Sequence, residues 1–262
     1  MVDDGRMRLA AACAVAHEAG ALALRHYRAR EQLAIEQKGL QDIVSLADRA
    51  VETLIRERLA ELFPEDAVLG EEEGMRGASG APGVWVVDPI DGTWCFLNGI
   101  GSWCVSIAYV QGGEILTGVV YDPSAEELFA CRDGGGATLN GVPIRTSPAA
   151  TLRDGTVSVG FSHRSRPEEV VPVIGRLLAQ GGMYQRHGSG ALGLAWTAAG
   201  RLIAYLEPHM NSWDCLAGLL LVREAGGFTN DFLEGDALLA GNRVLSGPTQ
   251  LRSALEELTG WR

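Results

Sequence analysis

Basic residues are scarce in this chain: 22 lysines and arginines stand against 33 aspartates and glutamates, a formal net charge of −11. A surface of that sign repels phosphate backbones and anionic membranes, which argues against nucleic-acid and membrane partners. A small phosphorylated substrate stays open, because a bound cation inverts the local field. Cysteines are few as well. The five, Cys13, Cys95, Cys104, Cys131 and Cys215, are odd in number, far apart and without a C-x-x-C pair. They exclude a disulfide frame or a cysteine zinc site and fit reduced thiols in a cytoplasmic protein. Long apolar runs are missing too. The longest, Ala191 to Leu206, is broken by Arg201 and two glycines, so no membrane span is expected. Asp3 and Asp4 spoil a signal peptide. No segment is repetitive or of low complexity, and Gly134-Gly135-Gly136 lacks the Gly-Lys-Ser/Thr of a P-loop.

What is present is an ordinary globular composition, 47% apolar and 21% charged over 262 residues. A folded chain of this mass exposes about 11,000 Å² and buries roughly 70% of its unfolded surface. Helical spacing predicts helices over Met7–Arg30 and Ser45–Leu62. Gly70–Gly83 reads as loop. Val84–Val87 reads as a short buried strand that Pro89 ends. Strands follow over Val105–Val110, Ile115–Tyr121 and Glu127–Cys131, separated by turn residues. Past a boundary near residue 150 come a strand (Val157–Phe161), a helix (Pro167–Ala179), a helix (Ala191–Ala199), a strand (Leu202–Leu206) and a helix (Cys215–Glu224) closed by Gly226-Gly227. The two halves are expected to share one packed body.

Three acidic clusters carry the chemistry: Glu71-Glu72-Glu73, Asp88 and Asp91 within Asp88-Pro89-Ile90-Asp91-Gly92-Thr93, and Asp214 after Trp213. Two carboxylates held close repel one another unless a divalent cation sits between them, and magnesium suits hard oxygen ligands. The bend at Pro89 turns the Ile90 carbonyl toward the same space. Gly92 and Thr93 open a short helix, Trp94–Asn98, whose free amides suit a phosphate. Each piece has a plainer reading beside this one. Asp at a strand end and Asp-Gly in a turn serve the backbone alone, three glutamates suit a solvated loop, and Asp214 suits a helix N-cap.

Taken together, these motifs resemble the inositol monophosphatase family, magnesium-dependent and lithium-sensitive phosphatases. The resemblance covers nearly the whole chain. It runs through Lys38-Gly39, Asp42, Val44-Ser45, Asp48, Phe63-Pro64, Gly70-Glu71-Glu72 and Trp85 to Thr93. It continues through Gly118 to Pro123, Asn140-Gly141, Gly188-Ser189, Trp213-Asp214 and Glu224 to Gly227. It implies an α+β fold, a layered αβαβα sandwich of the fructose-1,6-bisphosphatase type. It implies a single catalytic unit over 1–262, with the metal site in 1–150 and substrate residues in 151–262. It also implies two or three Mg²⁺ per active site, a cytoplasmic location and a homodimer.

By position, the resemblance assigns Glu71, Asp88 and the Ile90 carbonyl to a first magnesium, and Asp88, Asp91 and Asp214 to a second. Glu71 and Thr93 position the attacking water, with Thr93 hydrogen-bonded to Asp48. Gly92 and Thr93 bind phosphate. Asp91, Gly188, Ser189, Gly190, Ala191, Glu207 and Asp214 contact the alcohol part of the substrate. The implied activity is hydrolysis of myo-inositol 1-phosphate or a similar polyol phosphate. Histidinol-phosphate hydrolysis is the alternative, and a non-catalytic, partner-binding regulator is a further one. The chain departs from the family at Trp94-Cys95, Gly190 and Gly193, all near the alcohol pocket, which leaves the metal ligands untouched.

Other signals carry less. Arg186-His187-Gly188 has the core of a histidine phosphatase motif, but Gly190 stands where the second arginine belongs. His17 and His26 are expected to be surface or packing residues. His209 is placed at the substrate mouth or in a plain loop. Trp94, Trp103 and Trp213 are expected as packing anchors.

Overall fold

A computed structural model describes residues 4–30, 35–39, 42–78 and 80–261; for 35–39 and 42–45 it describes the backbone only. Asp3 and the side chains of Lys38, Asp42, Val44 and Ser45 therefore lie outside the described residues. The accessible surface is 11,686 Å², close to the value expected from mass.

The chain opens with α1 (Asp4–Arg28), a hairpin of β1 (Ile35–Gly39) and β2 (Asp42–Ser45), and α2 (Leu46–Leu62). By length and composition α1 could cross a membrane. Here its small apolar face, Ala12, Val15, Ala16, Ala19 and Ala23, is fully packed inside the molecule. Next come β3 (Ala67–Gly70), β4 (Gly74–Arg76), β5 (Val84–Asp91), α3 (Thr93–Leu97), β6 (Cys104–Gln111), β7 (Glu114–Asp122), β8 (Glu127–Arg132), β9 (Ala137–Leu139) and β10 (Val142–Pro143). These strands build an eight-stranded sheet in the order β10-β9-β8-β7-β6-β5-β3-β4. Two expectations are corrected here. The segment read as loop after Gly70 holds β4, antiparallel to β3. And β5 runs on past Pro89 instead of ending there.

The second half supplies β11 (Thr156–Val159), α4 (Pro167–Ala179), β12 (Met183–Gln185), α5 (Gly190–Ala198), β13 (Ala204–Met210) and α6 (Ser212–Glu224). It closes with β14 (Gly227–Thr229), α7 (Ala237–Ala240), β15 (Asn242–Pro248) and α8 (Arg252–Thr259). Its sheet has the order β12-β11-β13-β15-β14. The strand expected at Leu202–Leu206 sits two residues later, and Met183–Gln185 pairs in parallel with β11.

The two sheets are stacked with helices between and outside them. Helices α1 and α2 cover one face of the large sheet around Val51, Ile55, Trp85 and Trp103. Helices α5 and α6 pack together between the sheets, against β5 to β7 on one side and β13 to β15 on the other. Both are apolar nearly all round, as a helix covered on every side must be. Helices α4 and α8 close the far face of the small sheet. The result is a layered α+β sandwich of αβαβα type. At its outer edge, the buried Asp66 carboxylate binds Arg8 and accepts Trp85 Nε1 at 3.1 Å, fixing α1 to the sheet.

Candidate active site

In an unbroken strand, residues three apart face opposite sides of the sheet. Asp88 and Asp91 do not. Pro89 has no N–H to give, and the β5–β6 ladder slips there: Asp88 pairs with Ser106, but Asp91 pairs with Cys104. The extra residue forms a bulge and brings both carboxylates to one side. The proline read as a strand end is thus the device that aims two acids together. Immediately after, Gly92 turns at φ 98°, a left-handed value suited to glycine, and begins α3.

Asp214 reaches the same point from the start of α6. Its carboxylate and those of Asp88 and Asp91 offer oxygens that all lie within 4.8 Å of one another. It is not the N-cap: that is Asn211, and Asp214 is the third residue of a capping box, its Oδ2 accepting Asn211 N at 3.2 Å. The cap reading and the cluster reading differ by three residues, and the helix starts earlier than expected.

The carboxylates of the cluster are poorly solvated and repel one another. Burial and then the neighbouring Glu71, Asp91 and Asp214 hold Asp88 well above the usual carboxylate range. Burial, then Asp214, pushes Asp91 up to about 7, against the pull of hydrogen bonds from Ser189 and Ala191. Burial raises Asp214 too, while Arg164 opposes it. Carboxylates held this close keep a shared proton where no cation neutralises them. A divalent cation does the work of that proton without protonating the ligands, and an all-oxygen donor set suits a hard one.

Around the cluster lies a cavity of about 520 Å³. Glu71, Ile90, Gly92 and Thr93 border it. Thr93 Oγ1 lies 3.2 Å from both Asp48 Oδ1 and the Ile90 carbonyl oxygen, sharing its hydrogen between them. Asp48 is fully buried on α2. From the second half, Gly188, Ser189 and Gly190 also line the cavity. Ala191 is fully buried behind it and gives its backbone N–H to Asp91 Oδ2 at 2.6 Å. Glu207, 7% exposed, stands opposite. Burial pushes its carboxyl up to about 8, and Tyr205 OH donates to its Oε2 at 2.6 Å.

Sequence reading missed several members of this wall. Tyr205 lies two residues before Glu207 on β13, so strand alternation alone places it on the same face. Arg164 and Arg186 line the outer cavity, each in a loop following a parallel strand, where such folds bind ligands. Trp94 corrects an expectation: it is 52% exposed at the rim, whereas Trp103 is fully packed. His209 does not line the cavity; its Nε2 is 3.0 Å from the Ala240 carbonyl oxygen. His17 packs edge-on against Tyr121, with ring centroids 4.5 Å apart.

Comparison with known proteins agrees with this fold. The profile of the inositol monophosphatase family matches residues 5–259. The chain is 41% identical over 224 residues to a protein named Nus factor SuhB from Xylella fastidiosa, covering 85% of this chain and 81% of that one. It is 36% identical over 244 residues to an inositol-1-monophosphatase from Rhizobium meliloti, covering 92% and 91%. Among solved structures, the extragenic suppressor protein suhB from Bartonella henselae superposes with a TM-score of 0.91 at 33% identity, over 97% of this chain and 98% of that one.

Proposed function

The chain belongs to the inositol monophosphatase family, a phosphatase family, and from that premise we propose that it is a magnesium-dependent phosphomonoesterase acting on myo-inositol 1-phosphate or a similar small polyol phosphate. The observation that carries this reading is the convergence of Asp88, Asp91 and Asp214 within 4.8 Å, beside Glu71 and the start of α3.

Glu71, Asp88, the Ile90 carbonyl, Asp91 and Asp214 would hold two or three Mg²⁺. Bound there, magnesium supplies positive charge to the phosphoryl group and makes water acidic enough to react near neutral pH. The chain's own residues do the rest. Glu71 takes the proton of the attacking water. Thr93 gives its hydrogen to Asp48 and the Ile90 carbonyl, which leaves its oxygen to accept a hydrogen bond from that water. The Gly92 and Thr93 amides steady the phosphate. Water attacks phosphorus, the P–O ester bond breaks, the departing alkoxide takes a proton from a solvent water, and Glu71 returns its proton to solvent.

Glu207 bears on the alcohol. Burial leaves its carboxyl largely neutral at pH 7, and a neutral carboxyl suits a hydroxyl better than an ammonium ion. This favours a polyol phosphate over histidinol phosphate. Phosphate release from the two substrates, with and without magnesium, tests the reading. Inositol 1-phosphate should give the higher kcat/KM. Glu207→Ala should lower it about 2- to 10-fold, the loss of a hydrogen bond between neutral groups worth about 0.5–1.5 kcal/mol. A preference for histidinol phosphate by orders of magnitude would overturn the polyol assignment.

The similarity to a protein named Nus factor SuhB supports a second reading, a regulator that acts through a protein partner. The two are separated by Asp88→Asn: loss of phosphatase activity with regulation intact would assign the regulatory role to the surface. A homodimer, lithium inhibition and a cytoplasmic site are further expectations of the family reading, as is a single catalytic unit whose second half, 151–262, handles the alcohol.

A further inference from the structure

One buried ion pair lies outside the acidic cluster yet touches the turn that carries Glu71. Glu52 on α2 has no exposed surface. Its carboxylate accepts the backbone N–H of Glu72 at 2.8 Å and of Glu73 at 3.0 Å, the two amides directly after Glu71. Arg56, one helical turn on, donates from Nε to Glu52 Oε1 at 2.8 Å. Its other nitrogens reach the carbonyls on either side of the turn, Val68 on β3 at 3.1 Å and Gly74 on β4 at 2.6 Å. The contact is close enough to require glycine before the turn: a Cβ on Gly70 would come 2.5 Å from the Glu52 carboxyl. A buried charge is costly unless paired and hydrogen-bonded, and here four side-chain hydrogen bonds of the pair end on the backbone of one hairpin.

We propose that Glu52 and Arg56 are positioning residues that set Glu71 for metal binding. The proposal rests on the reading of Glu71 as a ligand. Partners behind a ligand typically hold about 10- to 100-fold of metal affinity. In Glu52→Gln one amide N–H would face the side-chain NH₂ instead of an oxygen, so the turn loses one of its two anchors. Arg56→Lys keeps the charge but replaces a planar fork that reaches three acceptors with a single point.

The test measures Mg²⁺ binding by calorimetry, and the Mg²⁺-induced rise in Tm, for the wild type, Glu52→Gln, Arg56→Lys and Glu71→Gln. Arg58→Ala is the control, since Arg58 shares α2 with the pair but makes only exposed ion pairs, to Glu18 on α1 and to Glu61. Glu52→Gln and Arg56→Lys should each weaken Mg²⁺ binding about tenfold or more and raise the half-activating Mg²⁺ concentration, with kcat recovering at saturation. Arg58→Ala should leave all three unchanged. Native Mg²⁺ affinity in whichever of the two variants folds would overturn the proposal. Native Mg²⁺ affinity in Glu71→Gln would instead remove the reading of Glu71 on which it rests.

Discussion

Ser189 Oγ donates to Asp91 Oδ2 at 2.6 Å across 98 positions of sequence. The same oxygen accepts the Leu192 N–H at 3.2 Å as the N-cap of α5. One hydroxyl therefore starts a helix of the second half and holds an acid of the first. Ser189→Ala should cost about 1 kcal/mol of stability through the lost cap. It should also weaken Mg²⁺ binding, because Asp91 loses a partner that favours its charged form. Thermal unfolding with and without Mg²⁺ separates the two effects.

The metal-free protein should lose stability as pH rises. Asp91 moves from 3.8 to about 7 on folding and Glu207 from 4.5 to about 8. The folded state thus binds these protons more tightly than the unfolded chain. Their contribution is full below about pH 4 and is lost through pH 7 to 8. Magnesium reverses the trend, since it binds the deprotonated cluster and stabilises by RT ln(1 + [L]/Kd). Melting curves from pH 5 to 8.5 in EDTA and in magnesium check this; parallel curves would count against the cluster as a cation site.

Asp88→Asn should raise the stability of the metal-free protein while abolishing its activity. The amide oxygen can still accept the Ile90 N–H, now at 2.9 Å, and the repulsion from Glu71, Asp91 and Asp214 disappears. A gain of about 1 kcal/mol is in the range of such trade-offs between site and stability. The Mg²⁺-dependent rise in Tm should vanish in the same variant. Both changes are read from one pair of melting curves, and activity from phosphate release.

Thr93→Val keeps the volume and removes the hydroxyl that lies between Asp48 and the Ile90 carbonyl. Its Mg²⁺ affinity should stay near native. Its kcat should fall about 10- to 100-fold, the loss of one hydrogen bond to the ionising water, worth about 1.5–3 kcal/mol. Single-turnover kinetics at saturating Mg²⁺ measure it.

Much of this was legible in the chain, for reasons that differ by element. Helix α4 was read to the residue because Pro167 opens it and a turn follows it. The alternating and apolar runs of β6, β7 and β8 were equally plain. Pro89 misled, because the rule that proline stops a ladder is local. A bulge lets the strand resume, and whether it does depends on β6, its partner. The origin of α6 was misjudged for a related reason: Asp214 has the chemistry of a cap, but Asn211 three residues earlier has it too. Glu52 gave no sequence signal beyond being one more acid on a charged helix. Its role comes from a hairpin some 20 residues later in the chain, which no periodicity records.

The helices between the two sheets have a consequence for how this molecule acquires its shape. α5 and α6 have almost no polar face to show water, so neither is stable until a sheet covers each side. Ser189 and Asp214 sit at their first turns. The acidic cluster is therefore complete only when both helices are seated between the sheets, so cation binding reports on full packing and not on secondary structure alone. A chain with its helices formed but unseated would hold all the right residues and still be unable to bind a cation.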